Sequence, residues 1–439
     1  MQQNISNMSK STHFFGQPVY GQLIKCLDKN KINTYSRQHG GERYVKKFDM
    51  WSHVVTMLYA VVMRFDSLRE IQASVLAESR KLPHLSIDTL PKRSTLSDAN
   101  KRRPEELFGW LYMDVLEAHR DLLFSDSQRG KGDSWLNRLK IMDSTTIPLF
   151  SNLVFKGVGR NPKHGKKKGG IKVHTIINAN EGVPYDMQFT SAATHDSFMM
   201  APQDYSKNDI LAIDRAYIDY VKFEQMTHNG AVYVTKMKKN LVYQLEIEYN
   251  ITDDDSRFLY NIKEVVLKKK GVEHLIVLND RYPKQEVVLK KKGVEHHARI
   301  VTYIDHKKTG KNKTTKLISL LTNDFEMDAQ DIVAIYRKRW QIESLFKQVK
   351  QNFPLRYFYG ETANAIKIQI WMVFLANLLI TIVQRRIKRS WSFSGLATMI
   401  RIVLMYYINM ESFFEQPEND WKKYFSKHGI SPPQCEENV

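Results

Sequence analysis

A phenol, a carboxylate and several cations recur along Tyr336-Arg-Lys-Arg-Trp-Gln-Ile-Glu-Ser-Leu-Phe-Lys-Gln-Val-Lys350 at offsets that a helix gathers onto one side. At about 100° per residue, Tyr336, Arg339, Glu343 and Lys350 fall near about 0°, 300°, 340° and 320° around the axis. Ile335, Ile342, Leu345, Phe346 and Val349 fall between about 180° and 280°, so the helix has an apolar face to bury and a polar face to present. One carboxylate set among cations is either the solvated side of an ordinary amphipathic helix or part of a phosphate-handling metal site. The difference lies in whether other carboxylates can join it.

Two can. The apolar runs Leu139-Lys-Ile-Met and Ile210-Leu-Ala-Ile each read as a strand and each runs directly into an aspartate, Asp143 and Asp214. Ligands of α/β sheets gather at strand ends, although a single Asp there is usually a turn or cap residue. Three carboxylates from two strands and one helix supply the hard oxygen ligands that Mg²⁺ takes. In a two-metal arrangement one ion activates the attacking hydroxyl or water and the other stabilises the leaving 3′ oxygen. Arg339, Lys347 and Lys350 are placed to hold DNA phosphates beside such a site, with Tyr336 as a hydrogen-bond donor.

The elements that must position these groups change texture along the chain. Residues 17 to about 125 read as helical, from Val19, Leu23, Ile24 and Leu27 and then Trp51, Val54, Val55, Leu58, Tyr59 and Val62 at helical spacing. Ser67 with Glu70, and Thr95 with Asp98, have capping-box spacing. Pro104 suits the first turn of a helix running to about Leu123, and the polar, Gly-bearing residues 125–133 read as a linker. From about Leu136, short apolar runs separated by turns mark an α/β domain. Residues 236–325, rich in Val, Ile, Tyr and Lys, read as a mostly β insertion before the polar-striped helix returns the chain to the domain. The expected division is a helical segment at 1–125, a first catalytic part at 136–235, the insertion at 236–325, the last catalytic helices at 326–388 and a helical tail at 389–439.

Lys and Arg number 66 against 47 Asp and Glu, a net charge of +19, so the chain attracts polyanions, nucleic acid first and a membrane surface second. The first residues carry no apolar signal-peptide core. The longest apolar run, Ile370 to Val383, contains Asn377 and Thr381 and reads as a buried helix. Two distant cysteines, Cys26 and Cys435, make neither a disulfide framework nor a zinc cluster and fit a reducing cytoplasm. Lys156 to His174 carries seven Lys or Arg and no acid, so Lys166, Lys167 and Lys168 are candidates for tracking a DNA backbone. Thr194-His195-Asp196-Ser197 would open a helix with Asp196 or Ser197 as its cap; His195 is a weaker catalytic candidate, and His174 reads as a packed strand residue. Glu264 to His274 reappears unchanged as Glu286 to His296, with a strand and a Lys-Lys-Gly turn as its expected form.

The spacing Y-(2)-R-(3)-E-(6)-K, with Asp143 upstream and Asp214-Arg215-Ala216-Tyr217 after a strand, resembles the DDE transposases of bacterial insertion sequences, specifically the insertion-sequence-four family. The match runs from about Leu139 to Lys350, and Ser94-Thr-Leu-Ser-Asp-Ala-Asn100 resembles the front domain of one branch. The resemblance implies a ribonuclease H-like α/β catalytic domain interrupted by a β-rich insertion and preceded by a helical DNA-binding domain. It implies Asp143, Asp214 and Glu343 as the Mg²⁺-binding triad, with Mn²⁺ as a substitute, and Tyr336, Arg339 and Lys350 as residues that hold a DNA phosphate. Arg215, and Lys347 by the helix geometry above rather than as a motif member, are further candidates for DNA contact. It further implies a cytoplasmic, nucleoid-associated bacterial enzyme, acting as a homodimer that binds terminal inverted repeats, cuts the ends and joins the 3′-OH to target DNA. Two departures stand out. Ala216 replaces a common Gly, which suits a right-handed turn. No Trp lies between Asp214 and Trp340 to stack a flipped base in a hairpin step; Tyr243, Tyr249, Tyr260 and Tyr282 are alternative ring surfaces. A metal-dependent nuclease that does not join strands, and a domesticated DNA-binding protein without chemistry, are the competing readings.

Overall fold

The computed structural model describes residues 16–124, 135–149, 159–161, 168–239, 241–249, 258–269, 273–277, 286–290, 293–309, 312–419 and 422. By contact the chain forms two units, one from residues 1–124, 148–155 and 346–439, the other from 125–147 and 156–345. The linker expected at 125–133 lies outside the described residues.

The first unit is helical: α1 (Val19–Leu23), α2 (Lys29–Gln38), α3 (Met50–Met63), α4 (Leu68–Ala77), α5 (Arg93–Arg102), α6 (Glu106–Ala118) and α7 (Arg120–Leu123). Ser67 caps α4 by accepting from Glu70 N, as its spacing predicts. The start expected at Thr95 lies inside α5. That helix begins at Arg93, because Leu96 N already bonds Lys92 O, and its N-cap Lys92 offers no side-chain acceptor. The unit resumes late in the chain with the 24-residue helix Ala363–Arg386, numbered α11 below, which packs on α3, α5, α6 and α7. By length and composition it is apolar enough to cross a membrane, yet 89% of its apolar window is buried against these neighbours. The helix is longer than the apolar run that marks it because its polar residues find partners: Gln369 bonds Pro354 O and Tyr357 O, and Asn364 bonds Asn100 O and Arg103 O.

At the α6 contact, a Cβ on Gly109 would lie 2.9 Å from Trp371 Cζ2, and Trp371 Nε1 is tied to Glu105 Oε2 at 2.6 Å. Gly109→Ala gains about 1 kcal/mol of helix propensity, but forcing a methyl onto a fixed indole costs about 1–3 kcal/mol. A lower melting temperature is expected; a higher one would show that the ring yields.

The second unit carries β1 (Leu139–Leu149), β2 (Gly159–Asn161), β3 (Lys168–Asn178), β4 (Pro184–Ser191), β5 (Ile210–Ile213), helix α8 (Tyr220–His228) and β6 (Val232–Lys236). It continues with β7 (Tyr243–Tyr249), β8 (Leu259–Lys269), β9 (Glu273–Val277), β10 (Glu286–Lys290), β11 (Val294–Thr309), β12 (Asn312–Thr322) and α9 (Ala329–Lys338). The chain then runs through α10 (Trp340–Asn352), α11, α12 (Phe393–Val403) and α13 (Met410–Glu415). A ten-stranded mixed sheet has the order β2-β3-β1-β5-β6-β12-β11-β8-β7, with β4 on β3. β1, β5 and β6 pair in parallel. Every residue of β5 is buried, as a strand covered on both faces requires, and α8 and α9 pack on the sheet. The elements described within 236–325 are strands, and β11 and β12 extend the same sheet through β12-β6 pairing. The two repeat copies take different partners: Glu264–Lys269 lies in β8 against β11, whereas Glu286–Lys290 forms β10 against β9.

Candidate active site

Parallel pairing of β1 with β5 aligns Leu139 with Ile210 and, in unbroken register, Met142 with Ile213. One residue further on stand Asp143, inside β1 rather than at the strand end expected for it, and Asp214, just past the end of β5, so the two carboxylates lie on neighbouring segments about 4.8 Å apart in backbone spacing. Asp214 has extended backbone and N-caps a right-handed turn, Arg215–Tyr217, which Ala216 enters without positive φ.

The third carboxylate arrives through α9 and α10. Ile332 and Ile335 bury α9 against the sheet, and Asp328 caps its start. The single helix expected across 336–350 is two helices in succession, meeting at Arg339. There Arg339 N bonds Tyr336 O and Ile342 N bonds Arg339 O, an i→i+3 tightening that keeps right-handed backbone. Arg339 is thereby buried between two acids. Its Nη2 donates to Glu343 Oε1 at 2.7 Å, and its Nη1 lies 3.7 Å from Asp143 Oδ2. The apolar residues Ile335, Ile342, Leu345, Phe346 and Val349 are buried as their sector predicts.

The electrostatics tie all three acids together. Burial pushes Asp143 up to about 6; the Ser144 N–H and Arg339 oppose this, and the charges of Asp214 and Glu343 add to it. Burial also raises Tyr336, which Arg339 opposes and Asp214 and Glu343 reinforce. Burial works against the charge on Arg339, but Tyr336, Glu343 and Asp143 together raise its pKa. Three carboxylates and one guanidinium leave two net negative charges, which one divalent cation would balance. The oxygen donors and the charge suit Mg²⁺. Among the described residues no three such side chains are drawn to metal-holding distance; the Arg339 guanidinium contacts both Asp143 and Glu343. Its buried Nε–H has no acceptor.

The other candidates are spread. Arg215 is exposed beside Asp214, and Lys347 and Lys350 are exposed one and two turns beyond Glu343 on α10. Lys166 and Lys167 lie outside the described residues; Lys168 opens β3. Tyr243, Tyr249 and Tyr260 are partly exposed on β7 and β8, and Tyr282 is outside the described residues.

Sequence spacing missed one neighbour. Asp196 is not the cap it was expected to be; His195 accepts from Ser197 N instead. Asp196 Oδ1 accepts from Ser144 Oγ at 2.6 Å and from Lys172 Nζ at 3.2 Å, which ties the strand carrying Asp143 to β3. No local pattern could have found it, since both partners are brought by strand pairing. His174 is buried as expected, with Nε2 2.7 Å from Thr190 Oγ1. Burial lowers it to about 4, with Lys172 acting in the same direction and Asp196 against. Its native pKa lies below its unfolded value, so its contribution is complete above about pH 6.5 and is lost as pH falls to 4, at most about 3 kcal/mol. Denaturant titrations at both ends of that window should show this loss, and His174→Gln should lose less; an identical loss would rule the residue out.

The model of the transposase DDE domain family matches residues 135–379, more than half of the chain, and a domain of unknown function (DUF4372) matches residues 15–88. The transposase y4zB of Sinorhizobium fredii is 25% identical over 297 residues, 67% of this chain and 72% of the relative. The transposase for insertion sequence element IS5377 of Geobacillus stearothermophilus is 24% identical over 285 residues, 65% of this chain and 64% of the relative. Among solved structures, a piggyBac transposase synaptic complex with hairpin DNA aligns over 97% of this chain and 87% of that chain at 10% identity, with a TM-score of 0.42, too loose a likeness to transfer individual parts. The chain belongs to the transposase DDE domain family. It is accordingly a DNA transposase, an enzyme whose substrate is DNA.

Proposed function

We propose that this transposase binds the terminal inverted repeats of an insertion sequence, cleaves the DNA ends and joins the freed 3′-OH to target DNA at one ribonuclease H-like site. The reading rests on Asp143, one residue past the Met142–Ile213 register pair as Asp214 is, lying 3.7 Å from the Arg339 guanidinium that binds Glu343. Asp143, Asp214 and Glu343 would hold Mg²⁺, or Mn²⁺ in its place. Bound there, the ions supply the Lewis acidity that makes a hydroxyl nucleophilic and stabilises a leaving 3′ oxygen. The chain's own groups orient the phosphodiester. Arg339 offers a buried, unpartnered Nε–H to a phosphate oxygen; Tyr336, Lys347, Lys350 and Arg215 add donors, and Lys166, Lys167 and Lys168 extend the contact along the backbone. Cleavage and joining share the site because both are displacements at a phosphodiester.

The expected division into catalytic parts 136–235 and 326–388, an insertion at 236–325, an end-binding region at 1–125 and a tail at 389–439 is cut differently by contact, which groups 346–439 with 1–124, and the end-binding role is proposed for that helical unit. A homodimer holds the two ends together. The test supplies pre-cut ends, a supercoiled target plasmid and Mg²⁺. Joined product is expected; cutting of uncut ends without joining would leave a nuclease, and neither reaction would leave a DNA-binding protein.

A further inference from the structure

The helical region before residue 125 contains a cavity of about 350 Å³ lined by Tyr44, Lys46, Lys47, Leu90, Lys92 and Arg102 among others, with no acidic residue in its wall. Lys46, Lys47, Lys92 and Arg102 are exposed. Arg102 pairs with Asp98 at 3.3 Å and also donates to Arg43 O, whereas Lys46, Lys47 and Lys92 enter no described ion pair. Lys92 is also the N-cap of α5, where it offers no acceptor to the first N–H groups, and no acid occupies the first turn. Positive charge at that end opposes the helix dipole.

Tyr44 adds an independent sign. Its φ is +60°, a left-handed conformation that a bulky residue rarely adopts, yet its side chain is 83% exposed and so gains almost nothing from packing. A tyrosine that is strained and unburied is poorly explained by stability. Its ring carries the Arg43 guanidinium at 5.1 Å, a surface that stacks equally well on a nucleobase.

We infer that this cavity is the DNA-docking groove of the helical region: Lys46, Lys47 and Lys92 hold the phosphate backbone, and the Tyr44 ring stacks on an adjoining base. The inference rests on the proposal that this region binds the element's ends, and it gives a role to a segment that is otherwise matched in part by a domain of unknown function.

The test is fluorescence anisotropy of the full chain on a labelled duplex of the element's end and on a scrambled duplex, across a salt series. Lys46→Ala, Lys47→Ala and Lys92→Ala combined should flatten the slope of log affinity against log salt by about three. Tyr44→Gly should weaken binding about tenfold while its melting temperature holds or rises, because glycine accepts φ +60° without cost. Tyr44→Trp should restore the affinity. Wild-type binding with no change in either variant overturns the groove alone. Failure of the wild type to bind either duplex overturns the end-binding reading on which it stands. Should the triple variant melt early, the singly charge-reversed Lys47→Glu carries the same comparison.

Discussion

Glu343→Ala is expected to lose DNA cleavage in Mg²⁺ by at least about a thousandfold while still binding the element's ends. The residue is the acceptor for Arg339 Nη2 at 2.7 Å and one of two carboxylates whose charge raises Asp143 and Tyr336. Its loss removes a third of the oxygen donors and half of the net negative charge. The fold has little at stake, because the Glu343 side chain is 36% exposed while its helix is anchored by Ile342, Leu345 and Val349. Glu343→Gln separates shape from charge: it can keep the bond to Arg339 and should be nearly as inactive. Full cleavage by either variant, measured on end-labelled duplex, would sink the triad.

Arg339→Lys should fail almost as completely as Arg339→Ala. The guanidinium addresses Glu343 with one Nη and Asp143 with the other, and a lysine offers a single point of charge where a planar fork is needed. With its side chain only 8% exposed, removing it leaves acids facing one another with no cation between. Breaking such a buried pair costs about 3–5 kcal/mol, and the exposure of Glu343 places this case at the low end. A lower melting temperature is therefore expected without divalent ions. Added Mg²⁺ should raise it more in Arg339→Ala than in the wild type, because the ion then takes over the whole charge balance. Equal responses to the ion would mean that Arg339 does not stand against the metal's position.

Much of this site was legible because its residues announce themselves locally. Asp143 and Asp214 each end an apolar run, and Glu343 sits opposite an apolar sector. What could not be read is the 71-residue register, 214 − 143, that sets the aspartates side by side. That register comes from packing on both sheet faces rather than from any local pattern. The hitch at Arg339 was also hidden, since neither Pro nor Gly marks it and the backbone stays right-handed. Asp196 escaped for the same reason as the register: its partners Ser144 and Lys172 lie 52 and 24 residues away. The long helix α11 and its burial were evident from composition, but its partners α3, α5 and α6 were not, because those helices are hundreds of residues upstream.

The pairing of β8 with β11 sets Lys269 opposite Val294, Lys268 opposite Glu295 and Leu267 opposite His296. Val294-Glu295-His296 closes the second repeat copy, and Val272-Glu273-His274 closes the first. Excising residues 275–296 would therefore hand the strand an identical Val-Glu-His, with only Lys270 and Gly271 left to turn the chain, a two-residue hairpin loop with glycine where such loops want it. His274 would inherit the place of His296, whose Nε2 lies 2.7 Å from Tyr233 Oη. Such a deletion would shorten the stretch between the second carboxylate and the third by 22 residues, removing the β9–β10 pair while leaving the β8–β11 register of the large sheet as it is. Distance along the chain between Asp214 and Glu343 is a poor ruler for this enzyme, and strand neighbours are the better one.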